Sequence, residues 1–332
     1  MSSTFAETKP AIAGVKDADM VLEDISVVIP VFHAEQSLAE LCRQLVPTMQ
    51  TLARDFEIVL VNDGSSDDSW KIIQSLASAD ERVRGINLSR NFGQHNALLC
   101  GIRAARYGVI ITIDDDLQHP VSEIQVLLDK LSEGFDVVYG PPIQEQHGFG
   151  RDLASKLTKM ALKSAMGVDV ARNVCAFRAF RTHVREAFAD YRSPFVSVDV
   201  LLTWGTTKFA TAPVRHEPRR LGASNYTVRK LITHAFNMMT GFSAMPLQLA
   251  SFTGFVFTAF GMVVLIYVIG RYLIEGSVVP GFVFLASIIA VFSGAQLFAL
   301  GILGEYLARM HFRTMDRPLY IVRETAGSGK KS

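Results

Sequence analysis

From Pro246 to Gly270, and again from Gly276 to Gly304, no residue carries a charge. Each stretch exceeds the ~20 apolar residues that carry a helix across a bilayer. The alternative is a pair of buried core helices, but soluble helices rarely run so far without a charged position. Arg271 and Glu275 fall in the short link, so residues 246–304 are expected to form a transmembrane helical hairpin. Beyond it, residues 305–332 carry Arg309, Arg313, Arg317, Arg323, Lys330 and Lys331. Cationic segments are retained on the cytoplasmic side. A hairpin returns the chain to the face it left, so both termini and the large N-terminal part are expected there too.

That N-terminal part is of a different material. Residues 1–24 have no apolar core of a signal peptide and are expected to be a loose, disordered tail. From Ile25 to Gly140 short apolar runs alternate with helix-like stretches. The runs Ile25–Val31, Phe56–Val61, Val83–Leu88, Val109–Ile113 and Asp136–Tyr139 are expected strands. Between them, Gln36–Ala53, Asp68–Ala79, Gly93–Arg106 and Pro120–Ser132 are expected helices, the first kinked or split at Pro47. Such alternation predicts an α/β domain with a Rossmann-like, mainly parallel sheet covered on both faces. Arg151–Met166 reads as a further helix, and Val174–Phe180 and Lys208–Val214 as later strands. The net charge of +1 gives no reason to expect a nucleic-acid partner. Cys42, Cys100 and Cys175 show no C-x-x-C spacing, and no H-E-x-x-H occurs, so neither a disulfide framework nor a zinc site is expected.

The fourth strand ends abruptly in Asp114-Asp115-Asp116, followed by Leu117-Gln118-His119-Pro120. Three adjacent carboxylates repel one another unless something positive sits among them. A hard divalent cation answers that need, and Mg²⁺ takes one or two carboxylates together with phosphate oxygens. Pro120 suits the first position of the next helix, which leaves the acids in the crevice above the sheet, where α/β ligands bind. The bland alternative is a solvated acidic turn. Two more turns reach the same rim. In Asn62-Asp63-Gly64-Ser65-Ser66-Asp67, Ser66 or Asp67 would cap a helix, and Asp63 could accept hydrogen bonds from a nucleobase or ribose. In Ser89-Arg90-Asn91-Phe92-Gly93-Gln94, Arg90 could pair with a diphosphate, with the acids, or in a surface ion pair. Neither G-x-G-x-x-G after the first strand nor a P-loop is present.

Before the first span, Val228–Ser243 mixes apolar residues with Arg229, Lys230 and His234, which suits an interfacial helix or a domain-packing one. Upstream of it lies the cationic, hydroxyl-bearing run Arg215 to Tyr226. There a lipid phosphate could be met by arginine pairing and hydroxyl donation, or anionic lipid simply attracted.

With these motifs the chain resembles family 2 glycosyltransferases of the polyprenyl-phosphate type, which include dolichyl-phosphate mannose synthases and undecaprenyl-phosphate glucosyl- and aminoarabinose transferases. The resemblance runs from Ile25 to Val322. It rests on Val28-Ile29-Pro30-Val31, Asn62 to Asp67, Arg90-Asn91-Phe92-Gly93, Asp114 to Pro120, Arg219 to Tyr226, and Leu303-Gly304-Glu305-Tyr306. It implies a GT-A catalytic domain over residues 25–226, a juxtamembrane helix over 227–245, the hairpin, and a cytoplasmic tail, in the inner membrane. The donor, a UDP-sugar, would contact Pro30, Asp63, Arg90, Asp115 and Gln118. Asp114 and Asp116 would hold Mg²⁺ or Mn²⁺, and the basic loop would give Arg219, Ser224 and Tyr226 to the acceptor phosphate.

The chain departs from the family at two places. Phe32, His33 and Ala34 replace Tyr-Asn-Glu after the first strand, with Glu35 as substitute. Asn225 replaces a lysine in the basic loop. The implied reaction moves one sugar to a polyprenyl (undecaprenyl) phosphate, with Asp114, Asp116 and Arg219 carrying the chemistry; homo-oligomerisation is left open. A processive polysaccharide synthase is disfavoured, because no Q-x-x-R-W occurs and two spans make a poor channel. A non-catalytic nucleotide-sugar-binding membrane subunit is disfavoured by the complete acidic cluster. Asp199 is the candidate base that a mechanism needing one would use.

Overall fold

The computed structural model describes residues 23–143, 173–193, 195–217, 245–275 and 281–327. The expected helix Arg151–Met166, the juxtamembrane stretch Val228–Ser243, and the loop bearing Arg219, Ser224 and Tyr226 lie outside the described residues.

The β-branched runs form strands because they can be buried on both sides. β1 (Ile25–Val31), β2 (Phe56–Asn62), β3 (Val83–Leu88) and β4 (Val109–Thr112) lie parallel in the order β4-β1-β2-β3. Successive residues point to opposite faces. In β1, Val27, Ile29 and Val31 join the core beneath α1 (Leu38–Leu52), and Val28 joins the core beneath α3 (Gln94–Ala104). α2 (Ser69–Ala79) adds Ile73 and Ala77 to the first of these cores. Of the two expected outcomes at Pro47, a kink or a split, the split does not occur: α1 is one continuous helix through the proline. The proline lies on the exposed face, so the carbonyl it leaves unbonded can turn to water. Leu38, Leu41, Leu45 and Met49 pin the other face.

After α4 (Ile124–Ser132), the sheet changes character. β5 (Val137–Tyr139) and β6 (Arg178–Arg181) pair antiparallel, β6 also pairs antiparallel with β4, and β7 (Phe209–Thr211) lies parallel to β5. Helix α5 (Val198–Gly205) lies between β6 and β7 in the chain. The eight-stranded sheet is therefore mixed, with order β7-β5-β6-β4-β1-β2-β3-β8, the last strand, β8 (Val322–Ala326), coming from the end of the chain.

Two long apolar helices follow, α6 (Met245–Glu275) and α7 (Phe282–Thr314). Arg271 and Glu275 lie within the last turns of α6, where the sequence suggested a link. Both helices are long and apolar enough to cross a membrane, and none of the apolar window in either is buried. Side chains such as Phe255, Leu273 and Ile274 stand exposed, which is unlike the core helices of a soluble domain. α7 continues past Gly304 to Thr314, and the segment set apart as a tail supplies β8 (Val322–Ala326). This strand closes the β3 edge of the sheet in antiparallel register, with Asn87 opposite Glu324.

Candidate active site

The C-terminal ends of β1, β2 and β4 and the start of α3 surround a crevice of about 230 Å³. Pro30, Val31, Phe32, Asp63, Asn91, Gln94, Asp114, Asp115 and Asp116 line it. It sits where the strand order reverses, with β4 on one side of β1 and β2 on the other.

The loop leaving β1 is held amide by amide. Phe32 N donates to Asp115 Oδ2 at 3.1 Å, His33 N to Ser65 Oγ at 3.1 Å, Ala34 N to Ser69 Oγ at 2.9 Å, and Glu35 N to Asp67 Oδ2 at 3.3 Å. These contacts hold His33 in the left-handed region, at φ 56°, a conformation that a non-glycine residue keeps only when its surroundings enforce it. Leu117, just past the acids, shares the feature at φ 59°. Glu35 accepts a hydrogen bond from the amide of Asp68 at the start of α2, so its carboxylate faces that helix end.

Asp63 is buried, and its two oxygens accept from the amides of Phe92 and Gly93 at 2.7 and 2.8 Å. Burial pushes its carboxyl above the usual range, against the pull of those amides and of the Arg90 charge. Its clearest task is thus to fix the Ser89–Gln94 loop. Gly64 is needed beside it, because it has φ 65° and a Cβ there would meet the Arg90 backbone at 2.3 Å. Arg90 stacks its guanidinium on the Phe92 ring at 4.2 Å and is not among the residues lining the crevice. From the same loop the structure brings in Asn91 and Gln94 instead, which sequence reasoning passed over in favour of the charge. Gln94 Nε2 donates to Asp114 Oδ1 at 2.8 Å.

The three acids face different surroundings. Asp115 is pushed up to about 7, first by burial and then by the charges of Asp114 and Asp116. Asp116 Oδ1 accepts from the amide of Gln118 at 3.2 Å, and Gln118's carbonyl in turn accepts from Glu217 N at 2.8 Å. Among the described residues no three His, Cys, Asp or Glu side chains form a complete metal cage. A cation carried on a diphosphate does not require one, since one or two carboxylates suffice. A crowded acidic cluster of hard oxygen donors lining an open crevice fits that mode. His119, three residues beyond the acids, stacks on Phe177 and meets His216 edge-on, and burial lowers it to about 4.

Asp199 is not in the crevice. It forms a buried ion pair with Arg178, accepts from the Tyr139 hydroxyl at 3.1 Å, and is one-tenth exposed as a side chain. Arg178 Nε donates to Thr112 Oγ1 at 2.9 Å, which ties the pair to β4 just below the acids.

A sheet of this order, with an acidic cluster at the end of β4 opening on a switch-point crevice, is the GT-A arrangement of a glycosyltransferase. Residues 26–190 match the family model described as glycosyl transferase family 2. The chain is 35% identical, over 91% of its length and 92% of the relative's, to an undecaprenyl-phosphate 4-deoxy-4-formamido-L-arabinose transferase of Shewanella sediminis (strain HAW-EB3). It is 33% identical, over 93% of its length and 96% of the relative's, to the protein of that name from Proteus mirabilis (strain HI4320). Its fold resembles the crystal structure of glucosyl-3-phosphoglycerate synthase from Mycobacterium tuberculosis in complex with Mn²⁺, UDP-glucose and phosphoglyceric acid. That likeness has a TM-score of 0.50 and 18% identity, and covers 66% of this chain and 78% of that one. The chain belongs to glycosyl transferase family 2.

Proposed function

We propose that this enzyme moves a single sugar from a nucleotide-sugar donor, a UDP-sugar, to undecaprenyl phosphate at the cytoplasmic face of the inner membrane. The observation that carries this reading is one polypeptide with an acid-lined GT-A crevice and two unburied apolar helices. The names of the relatives support the polyprenyl-phosphate acceptor.

In this reading Pro30, Asp63, Asp115, Gln118 and Arg90 shape the donor site, the last three by position or charge. Asp114 and Asp116 would hold Mg²⁺ or Mn²⁺, which when bound eases the charge developing on the leaving diphosphate. Arg219, Ser224 and Tyr226 clamp the acceptor phosphate. Arg219 follows two residues after Glu217, whose amide is bonded to the Gln118 carbonyl beside the acids. A phosphate monoester has a second pKa of about 6, so near neutral pH much of it is already the dianion. The nucleophile arrives activated, and the protein's task is to hold it in line with the donor. Direct displacement inverts the anomeric centre, without a sugar–enzyme intermediate and without a protein base. The engagement of Asp199 by Arg178 accords with that division of labour.

Membranes containing the protein, incubated with undecaprenyl phosphate and a panel of nucleotide sugars, should yield one monoglycosylated lipid phosphate of inverted anomeric configuration. Polymer, or no lipid product from any donor, would refute the reading. The membrane face has its own test. β8 rejoins the catalytic sheet after α7, which supports an even number of crossings between the two. A single cysteine added near Ser277 should be labelled from outside the inner membrane, and one near Ser328 should not; the reverse pattern means the orientation is wrong.

A further inference from the structure

The strand that follows the membrane hairpin is connected to the donor crevice by an unbroken line of side chains. Glu324 on β8 accepts from Asn87 Nδ2 on β3 at 2.9 Å. Asn87 Oδ1 accepts from Asn62 Nδ2 on β2 at 2.8 Å, and Asn62 Oδ1 accepts from the Ser65 hydroxyl at 2.6 Å. Ser65 Oγ accepts from the amide of His33, the left-handed residue beside Phe32. The line crosses the sheet from its β8 edge to the loop leaving β1. A second contact runs alongside it, where Ser89 N donates to the Ile321 carbonyl at 2.9 Å, at the root of the loop that bears Asn91 and Gln94.

Asn62 and Asn87 are buried, so each amide must satisfy both its ends within the protein. An asparagine between two partners can point either way, and nothing in an amide chain alone selects one direction. A carboxylate does select one, because it only accepts. With Glu324 at the end, Asn87 must present its nitrogen outward and its oxygen to Asn62. Asn62 must then present its oxygen to Ser65, which leaves the Ser65 lone pairs for His33.

We infer that Glu324 is a positioning residue of the donor site: its carboxylate sets the direction of the Asn87–Asn62–Ser65 chain and so holds the Asn62–Asp67 turn and the His33 backbone in their binding geometry. This rests on the reading of the crevice as the nucleotide site. It gives the segment beyond the second membrane helix a part in donor binding, and it makes the effect one of charge type rather than of strand pairing. The backbone ladder between β3 and β8 is untouched by a side-chain change.

Glu324→Gln is nearly isosteric but can donate as well as accept, so both directions of the chain become available. In the full-length protein with Mn²⁺, titration with UDP, GDP and ADP identifies the nucleoside diphosphate that the wild type binds best. Glu324→Gln should weaken that ligand roughly 3- to 10-fold, the scale of one hydrogen bond. In turnover, the KM for the donor should rise by a similar factor, with kcat and the KM for lipid phosphate unchanged. Ser65→Ala removes the far end of the chain, so in that background Glu324→Gln should have no further effect on binding. Wild-type affinity in Glu324→Gln, or an equal loss with and without Ser65, overturns the inference while leaving the nucleotide site standing. A wild-type protein that binds none of the three diphosphates overturns both.

Discussion

Transfer is expected to fall by about two to three orders of magnitude when Asp116 becomes asparagine, the scale seen when one charge-stabilising group is removed from a reaction centre. The substitution separates charge from architecture. Asp116 Oδ1 holds the Gln118 amide, and an asparagine oxygen can hold it equally well, so the turn through left-handed Leu117 should persist. What is lost is one negative charge from a crowded cluster of three carboxyl groups. Their mutual repulsion helps drive Asp115 up to about 7, so relieving it should leave the melting temperature unchanged or slightly raised. EDTA should reproduce the loss in the wild type, and added Mn²⁺ or Mg²⁺ should reverse it. The measurement is initial rate at saturating donor and lipid phosphate, alongside a thermal melt. Full activity in chelator would remove any metal role from Asp114 and Asp116.

The acids were legible because a β-branched run ending in like charges has few stable explanations. The same holds for β1 to β4, whose two-sided burial shows as uninterrupted apolar sequence. Other features leave no such trace. Val322–Ala326 is an edge strand with Arg323 and Glu324 in its middle. Edge strands carry charges that protect them from pairing with other chains, so its sequence looks like the rest of a basic tail. Nor does sequence spacing reveal that His33 and Leu117 adopt positive φ, since that conformation is imposed by contacts from Ser65 and from the residues around the acids. Arg90 drew attention by its charge, whereas Gln94, a neutral residue at the first position of α3, is the one that reaches Asp114. Asp199 stands out in the sequence only as a carboxylate following the run Phe195–Val198. Its partner could not be named, because Arg178 lies inside an apolar run and only the antiparallel pairing of β6 with β4 and β5 brings it there.

That pair decides the second large effect. Arg178 is 1% exposed, and its guanidinium is engaged by Asp199 and by Thr112, with the Tyr139 ring 6.0 Å away. Asp199→Asn leaves the guanidinium buried without a counter-charge, which is expected to destabilise the catalytic domain by about 3–5 kcal/mol. Arg178→Met should cost a similar amount, because it strands the carboxylate instead. Replacing both, as Arg178→Met with Asp199→Leu, should recover part of the loss, although the Tyr139 hydroxyl then lacks its acceptor. Denaturant midpoints for the three variants would establish the order. Activity normalised to folded protein separates this structural role from catalysis. An acceptor that brings its own dianion needs no base, so molecules of Asp199→Asn that remain folded should transfer sugar at a measurable rate, well above that of Asp116→Asn. If Asp199→Asn instead unfolds with the wild type yet transfers nothing, the carboxylate is acting as a base, and the charge on the phosphate is not sufficient to make it a nucleophile.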